Sequence, residues 1–221
     1  MAHLALRHVS KVYPTNPPLH ALSDVSLDIE RGELVAVVGP SGSGKTTLLS
    51  LMGLLDAPTS GEVWIDGLDA AGLTEAQRSR ARSDLIGFVF QQFYLLSSLT
   101  ARDNVATGML YQGLAPAERR RRADAALERV GLANRSSHRP GELSGGEQQR
   151  VAIARAIAGE PAVVFADEPT GALDQASGRM VLDCLRSANQ TGATVIVITH
   201  DLSLAAQFDR QIHVLDGRVS P

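Results

Sequence analysis

Eight consecutive residues near the start of the chain have the types and spacing needed to hold a phosphate group. Residues 39–46 match G-x-x-x-x-G-K-[ST], directly after the apolar run 34–38 and directly before a helix-like segment. Glycines let the backbone turn its N–H groups inward, and the helix N-terminus adds a partial positive charge. Lys45 would contact the β- and γ-phosphates and Thr46 would ligate Mg²⁺. The motif predicts a nucleotide site but does not separate an ATPase from a GTPase or a small-molecule kinase.

Two adjacent carboxylates follow another apolar run, 162–166. Strand ends of this kind face the ligand crevice in open α/β sheets. Asp167 would hold the Mg²⁺ shell, and Glu168 would act as general base by orienting the water that attacks the γ-phosphate. A plain helix cap is the alternative for an acidic pair at this position. The sequence therefore predicts a Mg²⁺ ligand and a general base about 120 residues after the glycine loop.

The segment Leu143-Ser-Gly-Gly-Glu-Gln148 precedes the carboxylates by about 20 residues. Ser144 and Glu147 have the spacing of a capping box at the start of an amphipathic helix. A capping box does not explain Gly145 and Gly146, because each glycine in a first turn costs about 1 kcal/mol relative to alanine. Bare N–H groups, the Ser144 hydroxyl and the helix dipole would together hold an anion such as a phosphate group.

Four short apolar runs, 34–38, 86–90, 162–166 and 194–198, indicate strands buried on both faces of a parallel sheet. Residues 4–12 and 22–30 alternate partly, which is typical of half-exposed antiparallel strands. A polar helical stretch interrupts the core. There Pro116 is predicted to begin a helix whose apolar face includes Ala125, Ala126 and Val130.

The sequence therefore predicts an α/β fold with a parallel-sheet core, an N-terminal antiparallel β subdomain and an inserted helical subdomain. We expect one domain over residues 1–221. Within it, residues 1–90 and 160–221 would form the core with the β subdomain, and residues 91–159 the helical subdomain with the helix after Leu143.

Composition excludes several classes of protein. The 221 residues carry a formal net charge of −3, so the electrostatics offer no attraction to nucleic acid. Cys184 is the only cysteine, which agrees with a reducing compartment. No run of about 18 apolar residues occurs, so we expect a cytoplasmic protein. The basic run 119–122 is flanked on both sides by acidic residues and is interpreted as a solvated helix face.

Taken together, the loop 39–46, the Leu143–Gln148 segment and the Asp167–Glu168 strand resemble the Walker A loop, signature sequence and Walker B strand of ABC-type ATPases. The resemblance covers nearly the whole chain and implies a P-loop NTPase core. Residues 86–96 and 167–174 are similar to the lipoprotein-releasing and macrolide-exporter group. The cofactors implied are ATP and Mg²⁺.

The same resemblance assigns individual roles. Gln91 is similar to the Q-loop glutamine, His200 to the switch histidine, and Tyr13 to the aromatic residue that stacks on adenine; an ordinary strand end, a surface histidine and a loop tyrosine are the alternatives. The implied catalytic residues are Glu168, His200, Gln91 and Lys45, and the implied metal ligands are Thr46, Gln91 and Asp167. The implied ATP contacts are Tyr13, Gly39, Pro40, Ser41, Gly42, Ser43, Gly44, Lys45, Thr46, Thr47, Ser144, Gly145, Gly146, Glu147 and Asp174.

What the resemblance implies about function is an ATP-hydrolysing subunit that dimerises head to tail with a second copy of itself and powers integral membrane permease subunits. It would lie at the inner face of the cell membrane, attached through those permeases. Two alternatives stay open. One is an ABC-type ATPase that regulates a membrane complex without transporting a solute, and the other is a small-molecule P-loop kinase, which would leave residues 144–148 unexplained.

Overall fold

A computed structural model describes residues 3–220 and separates the chain into two compact units. The first unit comprises the described residues of Met1–Arg82 and Ile196–Pro221, and the second comprises Ser83–Val195. In chain order the elements are β1 (Leu4–Tyr13), β2 (Leu19–Ile29), β3 (Leu34–Val38), α1 (Lys45–Met52), β4 (Ser60–Ile65), β5 (Leu68–Asp69), α2 (Glu75–Leu85), β6 (Ile86–Phe90), α3 (Ala101–Thr107), α4 (Pro116–Arg129), α5 (Gly145–Ile157), β7 (Val163–Asp167), α6 (Gln175–Gln190), β8 (Thr194–Thr199), α7 (Leu202–Ala205), β9 (Arg210–Leu215) and β10 (Arg218–Ser220), with 3₁₀ turns at Ala133–Arg135 and Pro140–Glu142.

An antiparallel sheet of order β2-β1-β4-β5 fills one part of the first unit. Leu4 in its central strand pairs with Ile29 on one side and Ile65 on the other, and all three side chains are fully buried. This register places one apolar face against the core, as the partial alternation of the sequence requires. The predicted N-terminal antiparallel subdomain is confirmed.

Strands β10, β9, β3 and β8 lie side by side in that order, with β8 represented in the first unit by residues 196–199. Every residue of β3 is buried, and Val37 pairs in parallel with the equally buried Ile212. Burial on both faces explains why this strand is apolar throughout. The core strand positions the phosphate loop, since that loop begins at the residue after Val38.

The second unit is built on the parallel pair β6 and β7. Phe88 pairs with Phe165, and their rings stack with centroids 5.7 Å apart. Helix α5 packs on β6, where the backbone of Gly87 approaches the Ala156 carbonyl so closely that a side chain would collide with it. Helices α3 and α4 pack on each other and on α5, and α6 packs on α5.

Helix α4 begins at Pro116 as predicted, but its apolar face differs from the prediction. Ala126 and Val130 are buried, whereas Ala125 is exposed, so that assignment was wrong. The buried face instead consists of Ala123, Ala126, Leu127 and Val130, whose spacing of i, i+3, i+4 and i+7 places them on one side of the helix. The basic run on this helix pairs with acids, since Glu118 accepts hydrogen bonds from Arg121 and Arg122.

No helix among residues 3–220 combines the length and apolarity needed to cross a membrane. The predicted domain boundaries near residues 90 and 160 stay predictions. The α/β class with an antiparallel subdomain and a helical insert is confirmed by the element order and by the likeness to solved structures described below.

Candidate functional site

The loop between β3 and α1 in the first unit is shaped by backbone that only glycine tolerates. Gly44 has φ +107° and lies at the N-cap of α1. A Cβ there would lie 2.6 Å from the Ala21 carbonyl oxygen, so both the dihedral angle and the packing exclude a side chain. The loop is therefore held in one shape by its neighbour β2, before any ligand is considered.

Lys45 lies inside this loop. Its Nζ donates to the carbonyl oxygens of Gly39 and Pro40, both at 2.8 Å, and its side chain is buried. No side chain caps α1 and no acidic residue occupies its first turn. The positive end of the helix and the lysine charge therefore act together, with no acidic side chain in the first turn of α1, which favours an anion at this place.

A cavity of about 460 Å³ lies against the loop. This volume lies within the range of small-molecule sites. The remaining loop residues of the prediction surround or adjoin it: Pro40, Ser41, Gly42 and Thr46 are exposed, Thr47 is half-buried, and Ser43 is buried. The lining consists of Leu19, His20, Ala21, Gly42, Gly44, Lys45, Thr46, Thr47, Asp216 and Gly217.

Tyr13 pairs across the β1–β2 ladder with Leu19, a residue of the cavity wall, so the predicted aromatic lies next to the cavity. Its hydroxyl donates to Asp56 Oδ2 at 3.2 Å, and the Lys11 ammonium lies 4.9 Å from its ring centroid. Burial would raise the pKa of Asp56, but hydrogen bonds from Lys11 and the Ala57 N–H lower it below its ordinary value. An ion pair thus fixes the orientation of the ring.

His200 directly follows β8, the strand beside β3 in the sheet, and its side chain is exposed. The next residue, Asp201, caps α7 by accepting from the N–H groups of Ser203 and Leu204. The structure therefore places the predicted histidine at a strand end in the same unit as the phosphate loop.

In the second unit, Gln91, Asp167 and Glu168 form one cluster. Phe90 pairs in parallel with Asp167, so Gln91 and Glu168 leave the ladder side by side. A Cβ added to Gly171 would lie 3.0 Å from Gln91 Nε2 and 3.5 Å from the Glu168 carbonyl oxygen, which places that amide beside the acidic turn.

Glu168 adopts φ +45°, a left-handed conformation that is uncommon for a residue with a side chain. Backbone strain of this kind costs about 1 kcal/mol or more and is found preferentially at functional sites. The oxygen donors of this cluster, one carboxylate at a strand end and one amide, suit Mg²⁺, which is bound by few protein ligands together with phosphate oxygens.

The signature segment forms the predicted capping box at the start of α5. Ser144 Oγ accepts from the Glu147 N–H at 3.2 Å, and Glu147 Oε2 accepts from the Ser144 N–H at 2.8 Å. That backbone hydrogen bond is the main reason that the pKa of Glu147 lies below its ordinary value. Ser144 itself is exposed, so its hydroxyl and the helix end face solvent.

The two glycines of this segment have different surroundings. A Cβ at Gly146 would lie 2.8 Å from Ser177 Cβ and Oγ, so close packing against α6 explains the glycine there. A Cβ at Gly145 would meet Leu173 at 3.6 Å and Phe93 at 3.8 Å, which are ordinary contacts. The packing among the described residues therefore does not require glycine at Gly145.

Asp174 caps α6 and is linked to the signature helix through Ser177. Its Oδ1 accepts from the Ala176 and Ser177 N–H groups, and its Oδ2 accepts from Ser177 Oγ at 2.7 Å. The Ser177 hydrogen bonds lower the pKa of this exposed carboxylate. The second unit thus joins Ser144–Glu147 and Asp174 through a single serine packed on Gly146.

Residues 22–171, more than half of the chain, match the sequence profile of the ABC transporter family. The chain belongs to the ABC transporter family. The lipoprotein-releasing system ATP-binding protein LolD of Bordetella pertussis is 48% identical over 220 residues, which cover 99% of this chain and 95% of that protein. The macrolide export ATP-binding/permease protein MacB of Neisseria gonorrhoeae is 49% identical over 201 residues.

The macrolide-export match covers 91% of this chain and 31% of that protein, so the chain spans about a third of the length of those relatives. Among solved structures, a dimeric post-hydrolysis state of the ATP-binding cassette MJ0796 bound to ADP and Pi has a TM-score of 0.89 and 42% identity, covering 99% of this chain and 97% of that one. These comparisons confirm the family resemblance, the likeness to the lipoprotein-releasing and macrolide-export group, and the fold class. The family match supports ATP as the nucleotide that this chain binds.

Three polar residues of this ABC cassette shape the segment after β6 and escaped the sequence analysis. Asn104, fully buried in α3, accepts from the Leu96 N–H and donates to the carbonyls of Leu96, Leu99 and Thr100. Arg155 donates to the carbonyls of Phe93 and Tyr94, and burial lowers its pKa. Gln149 donates to the carbonyls of Phe90 and Pro169. Their positions inside helical patterns were the available signal, because a polar residue on a buried helix face needs a partner.

Proposed function

We propose that this chain is the ATP-binding and ATP-hydrolysing subunit of an ABC transporter, and that two copies close head to tail around ATP to power membrane partner subunits. The family match, two dimeric solved structures of the cassette MJ0796 and the relatives named for lipoprotein release and macrolide export support this function. In the proposed dimer, the phosphate loop of one copy faces the signature helix of the other.

The observation that carries the shared site is the bare backbone of Gly145. It begins a helix whose N-terminus is exposed at Ser144, and no neighbour within the chain prevents a side chain there. An N–H group at a helix N-terminus binds anions well. The partner copy's nucleotide supplies such an anion in the γ-phosphate.

The chemistry of the proposed reaction is phosphoryl transfer to water. Glu168 would accept the proton of the attacking water and hold it in line with the γ-phosphate. Lys45 would neutralise charge on the β- and γ-phosphates, and His200 would contact the γ-phosphate. Tyr13 would stack on adenine, and the exposed Asp174 would touch the partner's site.

The metal ligands that the family resemblance implies are the Thr46 hydroxyl, the Asp167 carboxylate and the Gln91 amide. Mg²⁺ would stabilise the charge that develops on the phosphate oxygens. Ser41, Ser43 and Thr47 would contribute N–H and hydroxyl contacts to the triphosphate, whereas Pro40, which has no N–H, would contribute only van der Waals contact.

The surface that we propose for the permease is an exposed apolar area of the second unit. Tyr94, Leu96, Leu110 and Tyr111 are all exposed, although large apolar side chains are normally buried. A cavity of about 370 Å³ lined by Phe88, Phe90 and Tyr94 opens in the same unit. A helix of an integral membrane partner would cover this area and hold the chain at the inner face of the membrane.

The test of shared catalysis uses two variants. Glu168→Gln keeps the side-chain size but removes the base, so we expect retained ATP binding, loss of turnover by about 100-fold or more, and an ATP-dependent dimer in light scattering. Gly145→Glu should strengthen α5, because an acid in the first turn favours the helix dipole, while repelling the partner's triphosphate.

We therefore expect Gly145→Glu to unfold no earlier than the wild type and to hydrolyse ATP at a small fraction of its rate. Full activity of Gly145→Glu as a monomer would contradict the shared site. Wild-type turnover by Glu168→Gln would remove Glu168 from the role of base.

The permease surface is tested separately. Tyr111→Glu should leave the ATPase rate of the purified chain unchanged, since Tyr111 lies outside the proposed ATP site. It should abolish stimulation by, and co-purification with, the integral membrane partner. Unchanged co-purification would show that the partner binds elsewhere.

A further inference from the structure

Gln149 is a fully buried amide in the second turn of α5, the helix that begins at the signature segment. Its neighbours on the helix, Val151, Ala152 and Ile153, are also fully buried, but they are apolar. Apolar side chains fill such positions at lower cost than an amide, whose polar groups must find partners. The exception therefore needs a reason beyond filling space.

The reason lies in two hydrogen bonds. Gln149 Nε2 donates to the Pro169 carbonyl at 2.8 Å and to the Phe90 carbonyl at 3.2 Å. Two carbonyl oxygens face the same atom, so that atom must be the amide nitrogen. The other amide atom, Oε1, is buried and has no hydrogen-bond partner among residues 3–220. The orientation of the amide thus gives Nε2 two hydrogen bonds and leaves Oε1 without one.

Each acceptor adjoins a residue of the proposed catalytic cluster. Phe90 is followed by Gln91, and Pro169 follows the strained Glu168. Gln149 stands five residues after Ser144, about 7.5 Å along a rigid helix. One side chain therefore connects the start of α5 with the backbone on which Gln91 and Glu168 are mounted.

We propose that Gln149 is a positioning residue that couples the two ATP sites of the dimer. This rests on the proposed function, in which Ser144 and Gly145 contact the nucleotide of the other copy while Gln91 and Glu168 act on the chain's own. A nucleotide held at the N-terminus of α5 fixes that helix, and Gln149 transmits its position to the turn that carries Glu168. Occupancy of one site thereby aligns the base of the other.

Gln149→Met tests the coupling, because methionine keeps a similar length and volume without donating a hydrogen bond. The matched control is Ile153→Val, a mild change at another fully buried position of α5. For each purified full-length variant, we would measure the melting temperature, ATP affinity with a fluorescent ATP analogue, kcat, and the Hill coefficient of hydrolysis against ATP concentration.

For the wild type we expect a Hill coefficient approaching 2, as two coupled sites allow. Gln149→Met should bring it to about 1 and lower kcat about tenfold, with ATP affinity within about twofold, since the phosphate loop is untouched. Ile153→Val should change the melting temperature without changing the Hill coefficient. A Hill coefficient of about 1 in both variants would show that general destabilisation of α5 removes the cooperativity, and this result would overturn the proposal.

Wild-type kcat and Hill coefficient in Gln149→Met would also overturn it, as would a wild-type Hill coefficient of 1. If Gln149→Met does not fold, Gln149→Asn, whose shorter amide cannot reach both carbonyls, is expected to show the same loss, and an unchanged Hill coefficient in that variant would overturn the proposal. The Glu168→Gln variant distinguishes the two proposals. If it forms an ATP-trapped dimer while Gln149→Met behaves as wild type, only the coupling proposal fails. If Glu168→Gln forms no dimer with ATP, the proposal of a shared site fails.

Discussion

Two helices of this molecule, α1 and α5, begin in glycine-rich segments, but the N–H groups at their N-termini have different surroundings. Helix α1 begins at Gly44 with no side-chain cap and no acid in its first turn. Helix α5 begins at Ser144 with a complete capping box closed by Glu147. The first has a lysine folded into its loop, whereas the second has a carboxylate in its first turn.

The difference shows which end depends on a ligand. The N–H groups at the start of α1 receive no help from a side chain, so a bound phosphate would complete the helix as well as fill the site. The start of α5 is stable without a ligand, because its cap lies within the chain. A preformed signature helix can therefore meet a nucleotide held by another copy with little ordering cost.

The largest expected effect is on ATP affinity when the positive charge at the start of α1 is removed. Lys45→Ala should weaken ATP binding about 100-fold, or about 2.7 kcal/mol, because a buried ammonium makes strong charge-assisted bonds to phosphate. Titration with a fluorescent ATP analogue measures the affinity. Ser50→Ala on the same helix, which removes only a hydroxyl bonded to the Thr46 carbonyl, is the control. Equal affinity in Lys45→Ala and wild type would place the phosphates elsewhere.

The second effect separates the two glycines of α5. Gly146→Ala should destabilise the fold by roughly 2 kcal/mol, since its Cβ would overlap Ser177 at 2.8 Å. Gly145→Ala should be neutral or stabilising by up to about 1 kcal/mol, because alanine is the better helix former. Urea unfolding followed by circular dichroism gives both values. Equal destabilisation by both alanines would mean that Gly145 is also required by packing.

A smaller effect concerns the carboxylate that closes the α5 cap. The pKa of Glu147 is lowered from 4.5 in the folded state, mainly by the Ser144 N–H. A lowered pKa contributes stability above 4.5 that disappears as the pH falls through the folded value.

We therefore expect wild type to exceed Glu147→Gln by about 0.5 kcal/mol in unfolding free energy at neutral pH, and the difference to vanish once the pH falls below the lowered folded-state pKa of Glu147. Chemical unfolding across this range measures it. A difference that stays constant with pH would show that the carboxylate charge has no part in the cap.

The smallest expected effect concerns Tyr13, beside the cavity at the phosphate loop. Tyr13→Phe keeps the ring and removes the hydroxyl that binds Asp56, so ATP affinity should fall no more than about twofold. Tyr13→Ala removes the ring and should lower the affinity about tenfold, the usual value of base stacking. The same fluorescent titration compares them. Identical affinities of Tyr13→Ala and wild type would exclude adenine stacking on this ring.

Local patterns predicted one core strand in each unit and the position of the phosphate loop. The apolar runs gave β3 and β6 with the bounds that the structure shows, and the glycine spacing located the loop between β3 and α1. Strands β9 and β10 were not predicted, although Asp216-Gly217 forms the turn between them. Helix α2 was also missed, because only Ala81 is buried and no apolar face marks it.

The sequence by itself determined the family, the phosphate loop, the acidic strand end and the capping box at Ser144, because each is written in neighbouring residues. Only the tertiary structure decided that Gly146 is a packing glycine while Gly145 is not, and that Gln149 joins Phe90 to Pro169. These contacts span 59 and 20 residues of chain. Short-range patterns record backbone geometry and burial, whereas a hydrogen bond between distant segments exists only after the fold has brought its partners together.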